Sequence, residues 1–502
     1  MFVTEELRTQ HDRTVEEIST AVSKFHQRGQ KFRIRHGSTN STRQTATKGK
    51  HFVDTGPLSS ILEVDKSRQT CLVEPNVPMD HLVKFTLAHG LVPLVVMEFP
   101  GITVGGGFSG TSAESSSFKY GVFEQTINYI EIVLAKGEIA HCSEDEHQDL
   151  FHGAAGAMGT FGVVTLLEVQ LRPAKSYVET SYHPVTSIAE AIETMQNFTA
   201  DISIDYLDGI LFTKNHGAII VGRLTDGTKE NENPRTFSKA KDPWFYLHAQ
   251  EIIRSQPNTT STELIPLVEY LFRYDRGAFW AARWAFDYFK TPFNSLTRRL
   301  LDSLMHTRVL YKAQDASSLS ATSYIAQDLS LLFPSSGDLI NHCTQTCNIW
   351  PLWLCPLKPT PHPTINPFPA SGHGASKLLL NVGIWGPAPT KRRSEFVAIN
   401  RDLETKLSVL GGMKALYAHT FYSESEFWEI YDRHWYDALR EKYGATSLPS
   451  VYEKVKGDLG AKRGIRDRVL DVRPFGGAYG ALKAVRYRYS DEYRRIRRAS
   501  PT

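Results

Sequence analysis

Thr103, Val104, Gly105, Gly106, Gly107, Phe108, Ser109, Gly110, Thr111, Ser112, Ala113, Glu114 and Ser115 form the stretch of this chain with the most chemistry to offer. Its glycines strip side chains from a backbone that something large can then approach closely. Thr111, Ser112 and Ser115–Ser117 add hydroxyls and bare N–H groups. A turn of this composition suits a phosphate-bearing, flat-ringed cofactor. Gly105, Gly107 and Gly110 also satisfy G-x-G-x-x-G, but a dinucleotide fingerprint of the Rossmann kind needs a strand before it and a helix opening on it. Pro100 and Gly101 stand just ahead, and Ser115–Ser117 starts a helix poorly, so that reading is set aside.

A second turn has the same character. Arg35, His36, Gly37, Ser38, Thr39, Asn40 and Ser41 follow the strand-like Phe32–Arg35. Small residues after a strand let successive N–H groups face one concavity, an anion nest. Arg35 and Arg43 would add charge-assisted bonds to a pyrophosphate. A third turn runs from Gly153 to Gly162, too rich in glycine to stay helical, and leads through Gly159, Gly162 and Val163 into an apolar strand, Val163–Leu171, closed by Pro173. Ser143 and Glu146 read as a capping box for a helix before it. The spacing of His141, Cys142, His147 and His152 fits no zinc pattern, so no metal is expected.

These turns, in this order, resemble the FAD-binding domain of the vanillyl-alcohol-oxidase (PCMH) type. There the Arg35–Ser41 turn would hold the pyrophosphate, Thr103–Ser115 would lie along the isoalloxazine, and Gly159, Gly162 and Val163 would support the cofactor from below. A narrower resemblance, to the Δ24-sterol reductase family, rests on Thr103–Phe123 and on Arg172-Pro-Ala-Lys-Ser-Tyr-Val178. It continues through Asp242-Pro-Trp-Phe245, Trp350–Pro356, Glu426–Tyr431, Leu439–Gly444 and Pro449–Lys454. It thus spans nearly the whole chain.

The expected architecture is α+β, with an FAD-binding domain of two α/β subdomains over residues 1–175. A cap over 176–460 reads as an antiparallel sheet carrying an aromatic-rich helical insert at about 242–334, and 461–502 reads as a basic tail. Glu5–Arg28, with Val15, Ile18, Val22 and Phe25 on one face, should form the first helix. Tyr177–Val185, Tyr206–Phe212, Ala218–Leu224, Asn348–Leu357, Leu378–Trp385 and Ala415–Tyr422 read as strands. Ile188–Phe198, Phe396–Leu410 and Glu424–Lys442 read as helices. At 502 residues, two or three domains are within reach. A net charge of +3 gives no argument for nucleic acid, although the tail carries twelve Lys/Arg against four Asp/Glu, a solvated, partly disordered segment or a peripheral membrane contact. Five cysteines without C-x-x-C spacing fit a reducing compartment. No secretory or membrane-spanning pattern is read, unlike the anchored animal and plant members of the family. The expected location is cytoplasmic or peripheral to the endoplasmic reticulum membrane.

The resemblance implies an FAD-dependent reduction of a carbon–carbon double bond in a sterol or related prenyl chain, with NADPH as donor. An isolated alkene has no carbonyl to accept charge, so a proton must be supplied as hydride arrives, and aromatic faces can steady the transient positive carbon. Tyr417, Tyr120 and Glu114 are the candidate proton donors. Tyr417 matches the family, whereas His419 replaces an acid there. His36 stands where the wider flavin group carries a linking histidine, but the double glycine before it is missing, so non-covalent FAD is expected. The alternatives are an FAD-linked oxidase or dehydrogenase of a hydrophobic metabolite, or a flavin-free scaffold that kept the fold. The oligomeric state is not read from the sequence.

Overall fold

The computed structural model describes residues 5–36, 51–227, 233–317, 323–360, 363–367, 377–418, 420–457, 475–490 and 493. Helical spacing of apolar residues in Glu5–Gln27 buries Val15, Ile18 and Val22 against the strand Ile127–Leu134. That strand belongs to a six-stranded sheet ordered Ile61–Asp65, Thr70–Val73, Gly162–Pro173, Ile127–Leu134, Ile139–Ser143, with Leu91–Pro93 on the far end of Gly162–Pro173. A separate parallel pair joins Phe32–Arg35 to His51–Asp54. Ser143 does accept N–H bonds from Asp145 and Glu146, both at 3.2 Å, but this closes a turn. The helix starts later, at Gln148, behind His147 in a left-handed conformation.

The second sheet has eight antiparallel strands, in the order Ser261–Pro266, Tyr177–Val185, His216–Thr225, Tyr206–Thr213, Leu352–Leu357, Leu379–Pro387, Tyr324–Leu332, Met413–Lys414. Its side chains alternate cleanly. Leu207, Leu211, Ile219, Val221 and Leu354 face Ile188–Phe198, Phe333–Thr346 and Arg393–Val409. Tyr206, Ile210, Ile220, Trp353 and Cys355 face the aromatic insert. Period-two alternation thus gives the sheet two cores, one per face.

Four expected elements differ. The insert is not purely helical: Ser261–Pro266 adds an edge strand and Tyr324–Leu332 an inner one. The strand expected at Ala415–Tyr422 is only Met413–Lys414, because pairing stops after Leu329 and Ser330. The helix expected over Glu424–Lys442 breaks at Tyr431–Asp432, where Asp432 caps a new helix through the Trp435 N–H at 2.9 Å. The break turns His434 outward and buries Tyr436 instead. Finally, Phe475–Arg488 is a helix packed on Thr307–Ser317, not a solvated strand of charge. Phe427, Tyr431, Tyr436, Leu439, Val451 and Val455 join the same core as the first sheet, so the chain's later part closes back on its front. No helix among the described residues is long and apolar enough to cross a membrane.

Candidate functional site

One cavity of about 1450 Å³ lies between the two sheets, walled by the glycine turns on one side and the aromatic insert on the other. Single small-molecule sites usually occupy about 300–1,000 Å³, so this one has room for a cofactor and a second ligand. Gly159 and Gly162 meet in its wall with Thr103, Gly105, Gly106, Ser109, Gly110, Thr111, Ser112 and Ala113. Arg35 and His36 stand there too, while Gly37, Ser38, Thr39, Asn40 and Ser41 lie outside the described residues.

The glycine stretch is not an open loop. Val104–Ser109 is a short helix, capped by the Thr103 hydroxyl, which accepts the Gly106 N–H at 3.2 Å. Each glycine has its own task. A Cβ on Gly105 would strike Pro75 at 2.5 Å, and one on Gly107 would strike Met97 and Phe123. Gly106 instead is exposed to the cavity, its Cβ position meeting only the cap hydroxyl. Val104, Gly107 and Phe108 are buried on the inner side and touch no ligand space. The helix ends at Gly110, with φ of −113°, and Thr111 follows with φ of 58°, a change of φ sign of the kind that turns successive N–H groups toward one concavity, a nest. Among the described residues, the N–H groups of Thr111, Ser112 and Ala113 donate to nothing. Three unused donors beside a side-chain-free helix face fit a flat, oxygen-bearing ligand.

The serines beyond do not serve that ligand. Ser115 and Ser116 give their hydroxyls to the Glu114 carboxylate, and Ser117 accepts the Glu114 N–H at 3.0 Å. Glu114 is therefore a buried knot beneath the turn and does not reach the cavity, as the sequence reading of it as a proton donor required. Tyr120 also lies elsewhere. Its hydroxyl accepts from Arg172 at 3.3 Å, under a guanidinium that Asp205 holds at 2.7 Å. In the Gly162–Pro173 strand, alternation sends Val163 into the core and Val164 to the cavity.

Tyr417 does reach the cavity. Pairing of Met413–Lys414 with Leu329 and Ser330 carries it over Asp328, to which its hydroxyl donates. Trp385 Nε1 reaches both Tyr417 Oη and Asp328 Oδ2 at 3.2 Å, and Asn381 Nδ2 holds Asp328 Oδ1 at 2.7 Å. Burial pushes the Asp328 pKa up, against the hydrogen bonds from Tyr417, Asn381 and Trp385. Burial and the Asp328 charge push Tyr417 well above the ordinary phenol range, so its hydroxyl keeps its proton. His419 lies outside the described residues.

Three groups escaped the sequence reading. Asp328 was hidden inside an apolar strand, where a lone carboxylate was the available signal. Glu98 is a second such acid, closing the apolar run Leu91–Phe99. It lines the cavity, its Oε1 has no hydrogen-bond partner, and burial together with the Glu114 charge pushes its pKa well above the ordinary carboxylate range. Lys454 comes from the far end of the chain and clasps the carbonyls of Met158 and Gly159 at 2.7 and 3.2 Å. Aromatic rings meet beside these polar groups: Phe279 lies tilted 4.7 Å from Trp385 and edge-on 5.3 Å from Trp353. Beneath Trp353, Asp208 gathers the Trp353 indole (3.1 Å), Tyr274 (2.7 Å) and Arg273 (3.0 Å), fixing the ring wall from behind.

The family model described as "FAD binding domain" matches residues 12–143, which contain the nest and the helix of Val104–Ser109. The Δ24-sterol reductase of Rattus norvegicus is 28% identical over 452 residues, 89% of this chain and 86% of its own length. That of Homo sapiens matches at the same identity and coverage. The Δ24-sterol reductase of Arabidopsis thaliana is 29% identical, over 84% of this chain and 79% of its own. Cytokinin dehydrogenase 5 of Arabidopsis thaliana is similar over 38% of this chain, at 26% identity. The nest donors, the Gly106 opening and the orphaned Glu98 Oε1 together fit FAD.

Proposed function

The chain belongs to the Δ24-sterol reductase family of FAD-linked oxidoreductases, and on that premise we propose that it saturates an isolated double bond in the side chain of a sterol or related terpenoid, with NADPH as donor. One observation carries the reading. A single cavity joins the nest at Thr111–Ala113 to an apolar ring wall, and the Tyr417 phenol lines it beside Trp385 of that wall.

Thr111, Ser112 and Ala113 would hold the cofactor's ring through their N–H groups, with Gly106 beneath it and Lys454 keeping the Gly159 turn in place. Bound and reduced, FAD supplies the two-electron equivalent that an alkene needs. Tyr417 is the group we assign to give the proton: it lines the cavity half-buried, it is neutral, and its hydroxyl is held by Asp328 and Trp385. As the phenol loses that proton, the hydrogen bond from Trp385 Nε1 steadies the oxygen. Phe279, Trp353 and Trp385 present aromatic faces to the carbon that bears transient positive charge. Their wall also keeps water from competing as proton source. Overall, NADPH and one proton are consumed and the alkene gains two hydrogens.

The test is to incubate the FAD-loaded protein with NADPH and a sterol extract, following mass. A gain of two hydrogens in a sterol, with anaerobic bleaching of the flavin by NADPH alone, is the expected result. Bleaching by lipid but not by NADPH would instead make the chain a dehydrogenase or oxidase.

A further inference from the structure

Large apolar side chains that remain exposed gather at one border of the cavity. Phe289 lines it, Leu296 and Leu300 lie on the helix that ends at the cavity-lining Leu301, and Leu482, Val485 and Tyr489 lie on or just after the helix whose Gly480, Ala481 and Ala484 line it. The helix Ser295–Leu301 buries none of its residues, yet Leu296 and Leu300, four apart on one face, are 64% and 72% exposed. Phe289 is both 44% exposed and part of the cavity wall, so the cavity reaches the surface at this point. The helix Phe475–Arg488 completes the border. Its first turn donates from the Gly477 N–H to Tyr288 Oη at 3.2 Å, and it packs against Asp302–Leu304. Gly477, Gly480, Ala481 and Ala484 face the cavity, while Leu482 and Val485 face out. A helix apolar on both sides is poorly matched to water.

The charge on this border is mainly positive, and Asp287 just ahead of it is paired with Arg283 at 3.2 Å. Lys290, Arg298 and Arg299 flank the leucines, and Lys483, Arg486 and Arg488 lie on the other helix. Neither 289–301 nor 475–490 contains an Asp or Glu. Exposed leucines framed mainly by cations are the makeup of a surface that lies in an anionic lipid interface.

We propose that Phe289–Leu301 and Phe475–Arg488 form a threshold that docks on an anionic phospholipid bilayer and admits the hydrophobic substrate from it. The admission step rests on the reductase reading; the docking does not. A sterol taken up here would pass from acyl chains to the Phe289 wall without crossing water.

The test is sedimentation of the full, FAD-loaded chain with vesicles of phosphatidylcholine, with and without phosphatidylserine. Binding to the phosphatidylserine vesicles, weakened by salt, is expected. Leu296→Ser with Leu300→Ser should weaken it about tenfold or more, the scale of losing buried leucines. Lys483→Glu with Arg486→Glu should abolish its preference for phosphatidylserine. Flavin content, and turnover of substrate dispersed in detergent, should hold in both variants. Vesicle binding without any turnover would sink the reductase reading and leave docking standing. Docking itself is overturned if the variants bind vesicles like the parent, or if the parent ignores vesicles and forms a dimer that the leucine variant dissolves.

Discussion

The Tyr417 hydroxyl donates to the Asp328 carboxylate inside the cavity wall, and the Trp385 indole N–H touches both oxygens at 3.2 Å. Tyr417→Phe removes the transferable proton and leaves the ring wall intact. Turnover should fall about 10²- to 10⁴-fold, the usual weight of a general acid, while flavin content stays at the parent's level. Single-turnover reoxidation of the reduced protein by substrate reads the step directly. A rate within about twofold of the parent would assign the proton to another group.

Glu98 is buried in the cavity wall with one oxygen unbonded, and burial pushes its pKa well above the ordinary carboxylate range. Such a group costs the fold about 1–3 kcal/mol. Glu98→Met, close in volume, should therefore raise the melting temperature of the flavin-stripped protein while lowering its affinity for FAD. A stabilised apoprotein with weaker flavin binding is the sign of a residue kept for the ligand. Unchanged or lower thermal stability would mean that the carboxyl has a structural partner.

Gly106 faces the cavity from a capped helix, and only the Thr103 hydroxyl lies near its Cβ position, at 3.0 Å. Gly106→Val places two methyl groups where the ligand ring would rest. FAD per chain should drop by about an order of magnitude or more, with little change in apoprotein melting, because valine is no worse than glycine in a helix. Flavin absorbance after desalting measures it, and full retention would move the ring elsewhere in the cavity.

Much of the fold and half of the site could be read from residue order because the signals were local. The glycine run, the Tyr177–Val185 and Tyr206–Thr213 strands and the first helix each carry their pattern within one segment. The three acids show where that stops. Glu114 looks catalytic in sequence because it sits in the cofactor turn, but its carboxylate is spent on Ser115 and Ser116. Asp328 and Glu98 look like ordinary interruptions of apolar runs, and only the folding of distant segments brings Tyr417 to one and leaves the other bare. Lys454 likewise meets Gly159 only after the chain returns from the cap. Contacts between segments hundreds of residues apart leave no periodicity to read.

A last consequence concerns pH and the floor of the first sheet. His11 is buried between Glu74 (2.8 Å) and Glu131 (3.2 Å). Burial works against its charge, but the hydrogen bonds to Glu131 and Glu74 prevail and lift its pKa from 6.5 to about 9. The folded state therefore binds the proton more tightly than the unfolded chain does. Its contribution, on the order of 3 kcal/mol, is fully present below pH 6.5 and fades as pH rises through about 9. Denaturant midpoints taken at intervals between pH 6 and 10 should decline across that window, and the decline should flatten in His11→Gln, which keeps hydrogen bonds but has no proton to lose. An equal decline in both proteins would assign the alkaline instability to other groups, because His11 would then carry no more charge in the fold than it does in the open chain.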